Sequence, residues 1–380
     1  MSKKIRLGIL GGGGNSLVGI LHRIAAKMHD KYDIVGGVFS RDWDSNVEFA
    51  NQIGISSERV YADYEIMIEK ELKFPEDKRI QAVSILTPNF LHFSMAKSLL
   101  ENGFHVICEK PLTTTYQEAK ELRSLVQKSE LIFAVTYTYT GYPTIRKIRE
   151  MISQGAIGEV QKIDAQYYQG WINPIIHKSE IRIDTWRLDP KKSGASCCIG
   201  DIGTHAFDML EYLTQLKIDK VLADLNYLYD DNKMDIDGSI LIRCTNGVKG
   251  IIRASQIATG ENNNFAVMIY GKKGGLKWEQ ENPNYLYHLS EDSPIKVLKP
   301  AHDYNSEFSL AASKLPPGHP EGIFDSMANI YNGVANKINN TNNFKGEYPT
   351  LNDGLRGMLF IEKAVESHSK GNIWVNLNSN

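Results

Sequence analysis

Five short apolar runs, IRLGIL (5–10), YDIVGGVFS (32–40), AVSILTP (82–88), FHVICE (104–109) and LIFAVTYT (131–138), recur through the first third of the chain. Helical patterns fill the gaps between them. Leu17, Ile20, Leu21 and Ile24 repeat at helical spacing, Thr115 and Glu118 form a capping box ahead of AKELRSLV, and Gly103 stops a helix that begins near Phe90. Strands apolar on both faces and joined by helices build a parallel sheet covered on both sides, because right-handed crossovers place a helix between successive strands.

From about residue 142 the pattern changes. GEVQKIDAQYYQGW (158–171) puts Ile163, Ala165 and Tyr167 on one face by strict alternation, as an antiparallel strand with one wet or ligand-facing side does. KVLADLNYLYD, GSILIRCTNGVKGIIRASQIAT and FAVMIYGKKGGLKWEQ read as further strands, with TNG (245–247) and KKGG (272–275) as hairpin signals. A final helix is expected near 351–369. With 380 residues and 42% hydrophobic content the chain can bury two cores, and domains of roughly 100–200 residues are usual. The change of pattern divides it into 1–141 and 142–380, an α/β half followed by an α+β half whose sheet is mixed or mostly antiparallel.

A net charge of −2 provides no broad basic field for nucleic acid or an anionic membrane. No apolar run approaches the roughly 18 residues of a membrane span, and MSKKIRLGIL enters a strand pattern without a signal-peptide core, so a soluble, cytoplasmic protein is expected. Cys108, Cys197, Cys198 and Cys244 lack metal-ligand spacing, and the adjacent pair suits no disulfide framework. Reduced, packed thiols are expected, and no metal.

Three short segments carry the chemistry. GGGGNS (11–16) fits the start of G-x-G-x-x-G at Gly11 and Gly13, with Ser16 at the third glycine position. After a first strand and before a helix, such a turn brings backbone N–H groups up to a pyrophosphate, which makes Gly11, Gly13, Gly14, Asn15 and Ser16 candidates for holding a dinucleotide; alone, the motif is also compatible with a plain tight turn. The second strand ends in Phe39, Ser40 and Arg41, with Asp42 and Asp44 a little later. Ser40 and Arg41 could accept the 2′-phosphate of NADP, or Arg41 could flank the adenine or face solvent, so NAD and NADP both stay open. In SGASCCIGDIGTHAFDMLEYL (193–213), Asp201, His205 and Asp208 are spaced four and three apart and share a helix face; the alternative is an N-cap Asp201 and a packed His205. In VICEKP (106–111), a lysine stands at a strand end with its backbone restricted by the proline that follows.

The glycine-rich turn, TPNFLH (87–92), CEKPL (108–112) and GDIGTHAFDML (200–210), in this order and at these distances, resemble the Gfo/Idh/MocA oxidoreductases, named for glucose-fructose oxidoreductase and inositol dehydrogenase. The resemblance covers nearly the whole chain, and WRLDPKKSGAS (186–196) and GHPEG (318–322) are similar to a branch acting on sugars or cyclic polyols. It implies an N-terminal Rossmann domain, a C-terminal domain with a large open sheet, a substrate cleft where the nicotinamide meets that sheet, and a homodimer or homotetramer. It implies a cis Lys110–Pro111 peptide, with Lys110 on the reacting hydroxyl and the cofactor ribose, Glu109 positioning the nicotinamide end, and Thr87, Asn89 and His92 on the cofactor-side turn.

The implied chemistry is hydride transfer from a secondary alcohol carbon to C4 of the nicotinamide, which needs a general base on the hydroxyl. His205 is the first choice, since imidazole ordinarily titrates near neutrality; Lys110 is the alternative, and Asp201 would orient the sugar and His205. Tyr137, Tyr139, Tyr168, Trp171 and Trp186 could stack on sugar C–H faces or sit in the core, with Arg187 and His319 on hydroxyls. Positive charge is too sparse there for a phosphorylated or carboxylate substrate, which favours a neutral polyol or pyranose. Two other readings are a redox-neutral NAD-dependent glycosidase and a non-catalytic NAD(P) sensor; the joint presence of Lys110, Asp201 and His205 speaks against the sensor.

Overall fold

The computed structural model describes residues 4–173, 186–229, 232–341 and 346–377. The chain forms two compact units. One comprises Met1–Thr113, Gln117–Gly141 and Ile323–Leu355; the other comprises Thr114–Tyr116, Tyr142–Gly322 and Arg356–Asn380. The chain thus leaves the first unit at residue 141 and re-enters it 182 residues later, at Ile323, a return of which the pattern of apolar residues gives no notice.

In the first unit, β1 (Ile5–Gly11), α1 (Leu17–Met28), β2 (Tyr32–Val38), α2 (Trp43–Gln52), α3 (Tyr64–Leu72), β3 (Ala82–Leu86), α4 (His92–Glu101), β4 (His105–Cys108), α5 (Tyr116–Gln127) and β5 (Phe133–Val135) follow the expected alternation. The strands pair in parallel in the order β2-β1-β3-β4-β5. The order reverses between β1 and β3, and at such a switch point the carboxyl ends of the strands open a crevice for ligands. The glycine turn and Thr87 stand at those two ends.

Ile9, Phe39, Phe49, Ala50, Ile55, Val60 and Leu86 form one core cluster of this unit. In the other, Ile5, Leu7, Ala25, Ala26, Tyr32 and Ala134 pack with Met327, Tyr331 and Val334, which come from the returning segment. At about 1.5–3 kcal/mol for each large apolar side chain fully buried, these last three are worth on the order of 5 kcal/mol. The spacing of Leu17 and Ile24 predicts α1 but not its buried face. Leu17 is 74% and Ile24 42% exposed, while Gly19, His22, Ala25 and Ala26 face inward. The cause is close approach: a Cβ on Gly19 would lie 1.8 Å from the Gly12 carbonyl oxygen.

The second unit contains α6 (Pro143–Ser153), β6 (Val160–Tyr168), α7 (Thr204–Thr214), β7 (Ile218–Tyr229), β8 (Asn232–Cys244), β9 (Lys249–Ser255), β10 (Asn264–Gly271), β11 (Gly274–Glu279), β12 (Leu286–Leu289) and β13 (Lys296–Leu298). After them come α8 (Ile323–Ile338), which lies in the first unit, α9 (Leu351–Ser369) and β14 (Val375–Asn376). Among the described residues one sheet runs β13-β12-β11-β10-β6-β9-β8-β7-β14, antiparallel except where β6 meets β9. Ile163, Ala165 and Tyr167 of β6 are buried, as their alternation predicts, and Gly247 turns the β8–β9 hairpin at φ +87°. All four cysteines are buried and unpaired. Among the described residues, no helix is long and apolar enough to cross a membrane.

Candidate active site

Gly11, Gly12 and Gly14 take positive φ (85°, 68° and 56°), a region that costs other L-residues about 1–2 kcal/mol. The Gly13 amide donates to the Phe39 carbonyl at 3.2 Å, and a Cβ there would sit 2.5 Å from the same oxygen. Gly14 and Asn15 are exposed at the N-terminal end of α1. A bare backbone at a helix N-terminus fits a dinucleotide pyrophosphate. Ser16 is not the packing position of the motif: its hydroxyl caps α1 by accepting from the Gly19 amide at 3.2 Å, and the close packing falls to Gly19.

At the end of β2, the buried Asn46 side chain accepts from the Phe39 amide at 2.7 Å and donates to the Tyr61 carbonyl at 2.7 Å. Asp42 caps α2, with one carboxylate oxygen taking both the amide (2.9 Å) and the hydroxyl (2.6 Å) of Ser45. Ser40 is half-buried and Arg41 exposed.

The Glu-Lys-Pro turn follows β4, and the Lys110–Pro111 peptide is cis. Glu109 Oε1 accepts from Thr136 Oγ1 at 2.5 Å and lies 2.8 Å from His22 Nε2, while Oε2 accepts from the Lys110 amide at 3.3 Å. Burial pushes the Glu109 carboxyl up, but the hydrogen bond and charge of His22, the charge of Lys110 and the Thr136 hydroxyl outweigh it and bring it to about 2. Thr87 is half-buried, its hydroxyl 3.7 Å from Met95 Sδ, and Asn89 is buried. His92, expected on the cofactor, is buried between the carbonyls of Thr87 (2.9 Å) and Pro111 (3.0 Å). Burial lowers its pKa, and the ring braces one turn against the other instead of reaching outward. Tyr137 is 1% exposed and Tyr139 is also buried, so neither presents its ring to solvent.

In the second unit, a π-helical turn, Ile199–Gly203, runs directly into α7. Asp201 therefore lies inside that turn, its amide donating to the Cys197 carbonyl at 2.8 Å, and is not an N-cap. The buried Asp235 of β8 anchors the turn by accepting from the amides of Cys197 (2.9 Å) and Ile199 (2.7 Å). Burial raises the Asp235 carboxyl, with the hydrogen bonds from Ile199, Ser196 and Cys197 opposing. Asp201 Oδ2 accepts from Gln256 Nε2 at 3.1 Å, and Arg187 Nε stands 3.7 Å away with its guanidinium 4.7 Å over the Trp186 ring.

His205 and Asp208 are buried on α7. The ring near His205 is Tyr167, 6.1 Å between centroids, and the Tyr167 hydroxyl donates to Asn263 at 2.6 Å. Tyr168, the residue expected to meet substrate, points to the opposite face of β6, because successive strand residues alternate. Trp171 packs on the cluster of Ile172, Leu188, Cys197, Met234 and Ile236. His319 is exposed, its Nδ1 3.2 Å from the Pro316 carbonyl. Among the described residues no group of three or more His, Cys, Asp or Glu side chains could hold a metal ion.

The structure thus gathers the glycine turn, Thr87, Asn89, Glu109 and Lys110 in the first unit, and Trp186, Arg187, Asp201 and His205 in the second. It adds His22, Tyr331, Tyr167, Asp235 and Gln256, which the sequence did not single out. Only Tyr167 left a signal there, as the inward residue of a recognised strand.

A family model described as an oxidoreductase family with an NAD-binding Rossmann fold matches residues 5–137, and one described as the GFO/IDH/MocA C-terminal domain matches residues 145–277. The chain is 32% identical to the uncharacterized oxidoreductase YfiI of Bacillus subtilis, over 99% of this chain and 97% of that one. It is 27% identical to the levoglucosan dehydrogenase of Pseudarthrobacter phenanthrenivorans, over 80% of this chain and 81% of that one. The crystal structure of an inositol dehydrogenase homolog from Azotobacter vinelandii complexed with NAD+ is similar at a TM-score of 0.93 and 31% identity, covering 99% of this chain and 98% of that one.

Proposed function

The chain belongs to the Gfo/Idh/MocA oxidoreductase family, and from that premise we propose that it is an NAD(P)-dependent dehydrogenase oxidising a secondary hydroxyl of a neutral sugar, anhydrosugar or cyclic polyol. The observation that carries the reading is the Glu109-Lys110 turn, an ionised carboxylate held behind a lysine at the carboxyl end of a strand in a dinucleotide-binding sheet. An inositol is the first substrate to try, given the similarity over 99% of the chain to the inositol dehydrogenase homolog; levoglucosan is the second.

Gly11, Gly13, Gly14, Asn15 and Ser16 would hold the pyrophosphate, with Ser40 and Arg41 toward the adenosine ribose and Thr87, Asn89 and Glu109 toward the nicotinamide. Bound there, the nicotinamide supplies the hydride acceptor. Loss of hydride from carbon eases as the hydroxyl proton leaves, and His205 takes that proton on its ring. The Lys110 ammonium, with three donors and no acceptor, would donate to a substrate hydroxyl oxygen and stabilise charge developing there. Asp201, fixed by Gln256, orients the substrate hydroxyls; Trp186, Arg187, Trp171 and His319 supply further contacts.

The test is reduction of NAD and of NADP, each separately, by the purified protein with a panel of inositols, aldoses and anhydrosugars. Growth of reduced cofactor with a panel member supports the reading and names cofactor and substrate together. Cofactor binding without reduction by any of them would overturn it in favour of the redox-neutral glycosidase or the sensor.

A further inference from the structure

We infer that His22 and Tyr331 are positioning residues for this reaction, fixing the Glu109 carboxylate and through it the turn that carries Lys110. The inference rests on the proposed dehydrogenase reading and adds two residues to it. His22 comes from α1, Tyr331 from α8 and Ser84 from β3, and all three are buried. His22 Nε2 is 2.8 Å from Glu109 Oε1, His22 Nδ1 is 2.7 Å from Tyr331 Oη, and Tyr331 Oη is 2.7 Å from Ser84 Oγ.

The donors in this chain follow from chemistry. An ionised carboxylate only accepts, so Nε2 of His22 carries a proton toward Glu109. With the ring neutral, Nδ1 accepts from Tyr331; with the ring charged, Nδ1 donates to the Tyr331 oxygen and the tyrosine hydroxyl donates to Ser84. Burial pushes the tyrosine hydroxyl well above its ordinary value, which keeps that proton in place. In the first case Ser84 donates to the Tyr331 oxygen, and in the second it accepts from it. Either way every contact in the series pairs one donor with one acceptor, and a satisfied buried network of this kind rigidifies what it holds.

Two observations separate positioning from the alternatives. Among the described residues the chain of hydrogen bonds runs no further than Ser84, wholly buried in the middle of β3, and reaches no exposed side chain at that end. Packing alone would be met by apolar side chains, whereas here three polar groups from three distant segments are linked in series, and His22 at the head of the series meets the Glu109 carboxylate. Tyr32 provides an internal contrast, since its ring packs edge-on against Tyr331 at 5.3 Å between centroids but its hydroxyl donates to the Tyr331 backbone carbonyl at 2.9 Å, outside the series of side-chain hydrogen bonds.

Tyr331→Phe deletes one hydroxyl and keeps the ring. With the best substrate of the panel, kcat should fall about 10-fold or more, as small misplacements at a reacting centre do. ADP-ribose, which lacks the nicotinamide, should bind as in the wild type, while the fluorescence emission of bound NADH should change. In a His22→Ala background, Tyr331→Phe should add nothing, because it acts only through His22. Tyr32→Phe should lower Tm and leave both kcat and NADH emission unchanged.

Wild-type kcat and wild-type NADH emission in Tyr331→Phe would overturn the proposal, as would Tyr32→Phe reproducing both changes. If the wild type reduces neither cofactor with any substrate, the dehydrogenase reading falls, and the NADH and ADP-ribose comparisons still decide the positioning role. Failure of the wild type to bind NADH at all would overturn both.

Discussion

Glu109 shows how a single side chain can be read for its pH behaviour. Its native pKa of about 2 lies below the ordinary 4.5, so the folded state favours the ionised form. A depressed carboxyl pKa contributes stability that is complete above the unfolded value and is lost as pH falls through the native value. By linkage at about 1.4 kcal/mol per pH unit, the wild type should shed about 3 kcal/mol between roughly pH 5 and pH 2 that Glu109→Gln does not. Urea unfolding of both proteins at several pH values checks this, and parallel curves would refute it. At His205 the readout is kinetic. His205→Ala should lower kcat by about 10²–10⁴-fold, the usual contribution of general base catalysis, with NADH affinity little changed. Loss of affinity in the same proportion would mark a structural histidine instead. The residue type and its setting in GDIGTHAFDML made His205 legible in the sequence; Gln256 and Asp235 were not, because they reach the Asp201 turn from far along the chain, one just past the end of β9 and the other within β8.

Periodicity carries elements well and their seating poorly. The five parallel strands and the hairpins follow from runs of apolar and alternating residues, which are local properties. The face that α1 buries does not follow, since close backbone approach selects Gly19 and the alanines over the larger apolar side chains. Nor does the π-helical turn, whose anchor is Asp235, 38 residues after Cys197. Gly19→Ala tests the seating directly. With a Cβ 1.8 Å from the Gly12 oxygen, α1 must move, at a cost of about 3 kcal/mol, the upper range for overpacking. NADH affinity should fall with it, because Gly12 belongs to the turn. Thermal unfolding and NADH titration measure the two effects, and an alanine tolerated in both would show that the approach is not essential.

For the molecule as a whole, the division into 1–141 and 142–380 captured the change from parallel to mostly antiparallel sheet and missed the return of Ile323–Leu355 to the first unit. A chain of residues 1–141 alone lacks the cover that Met327, Ala328, Tyr331, Val334 and Ala335 provide. It should fail to give a cooperative thermal transition, and a sharp transition at the full-length Tm would show that α8 is dispensable for that core. The same topology bears on how the protein is made. Ribosomes add roughly 5–20 residues per second and domains usually fold in order of emergence, yet here the nucleotide-binding half must wait about 10–40 s for its last helix to be translated. Throughout that interval a nascent sheet with an uncovered apolar face is held outside the exit tunnel, a natural client for a chaperone that works during synthesis.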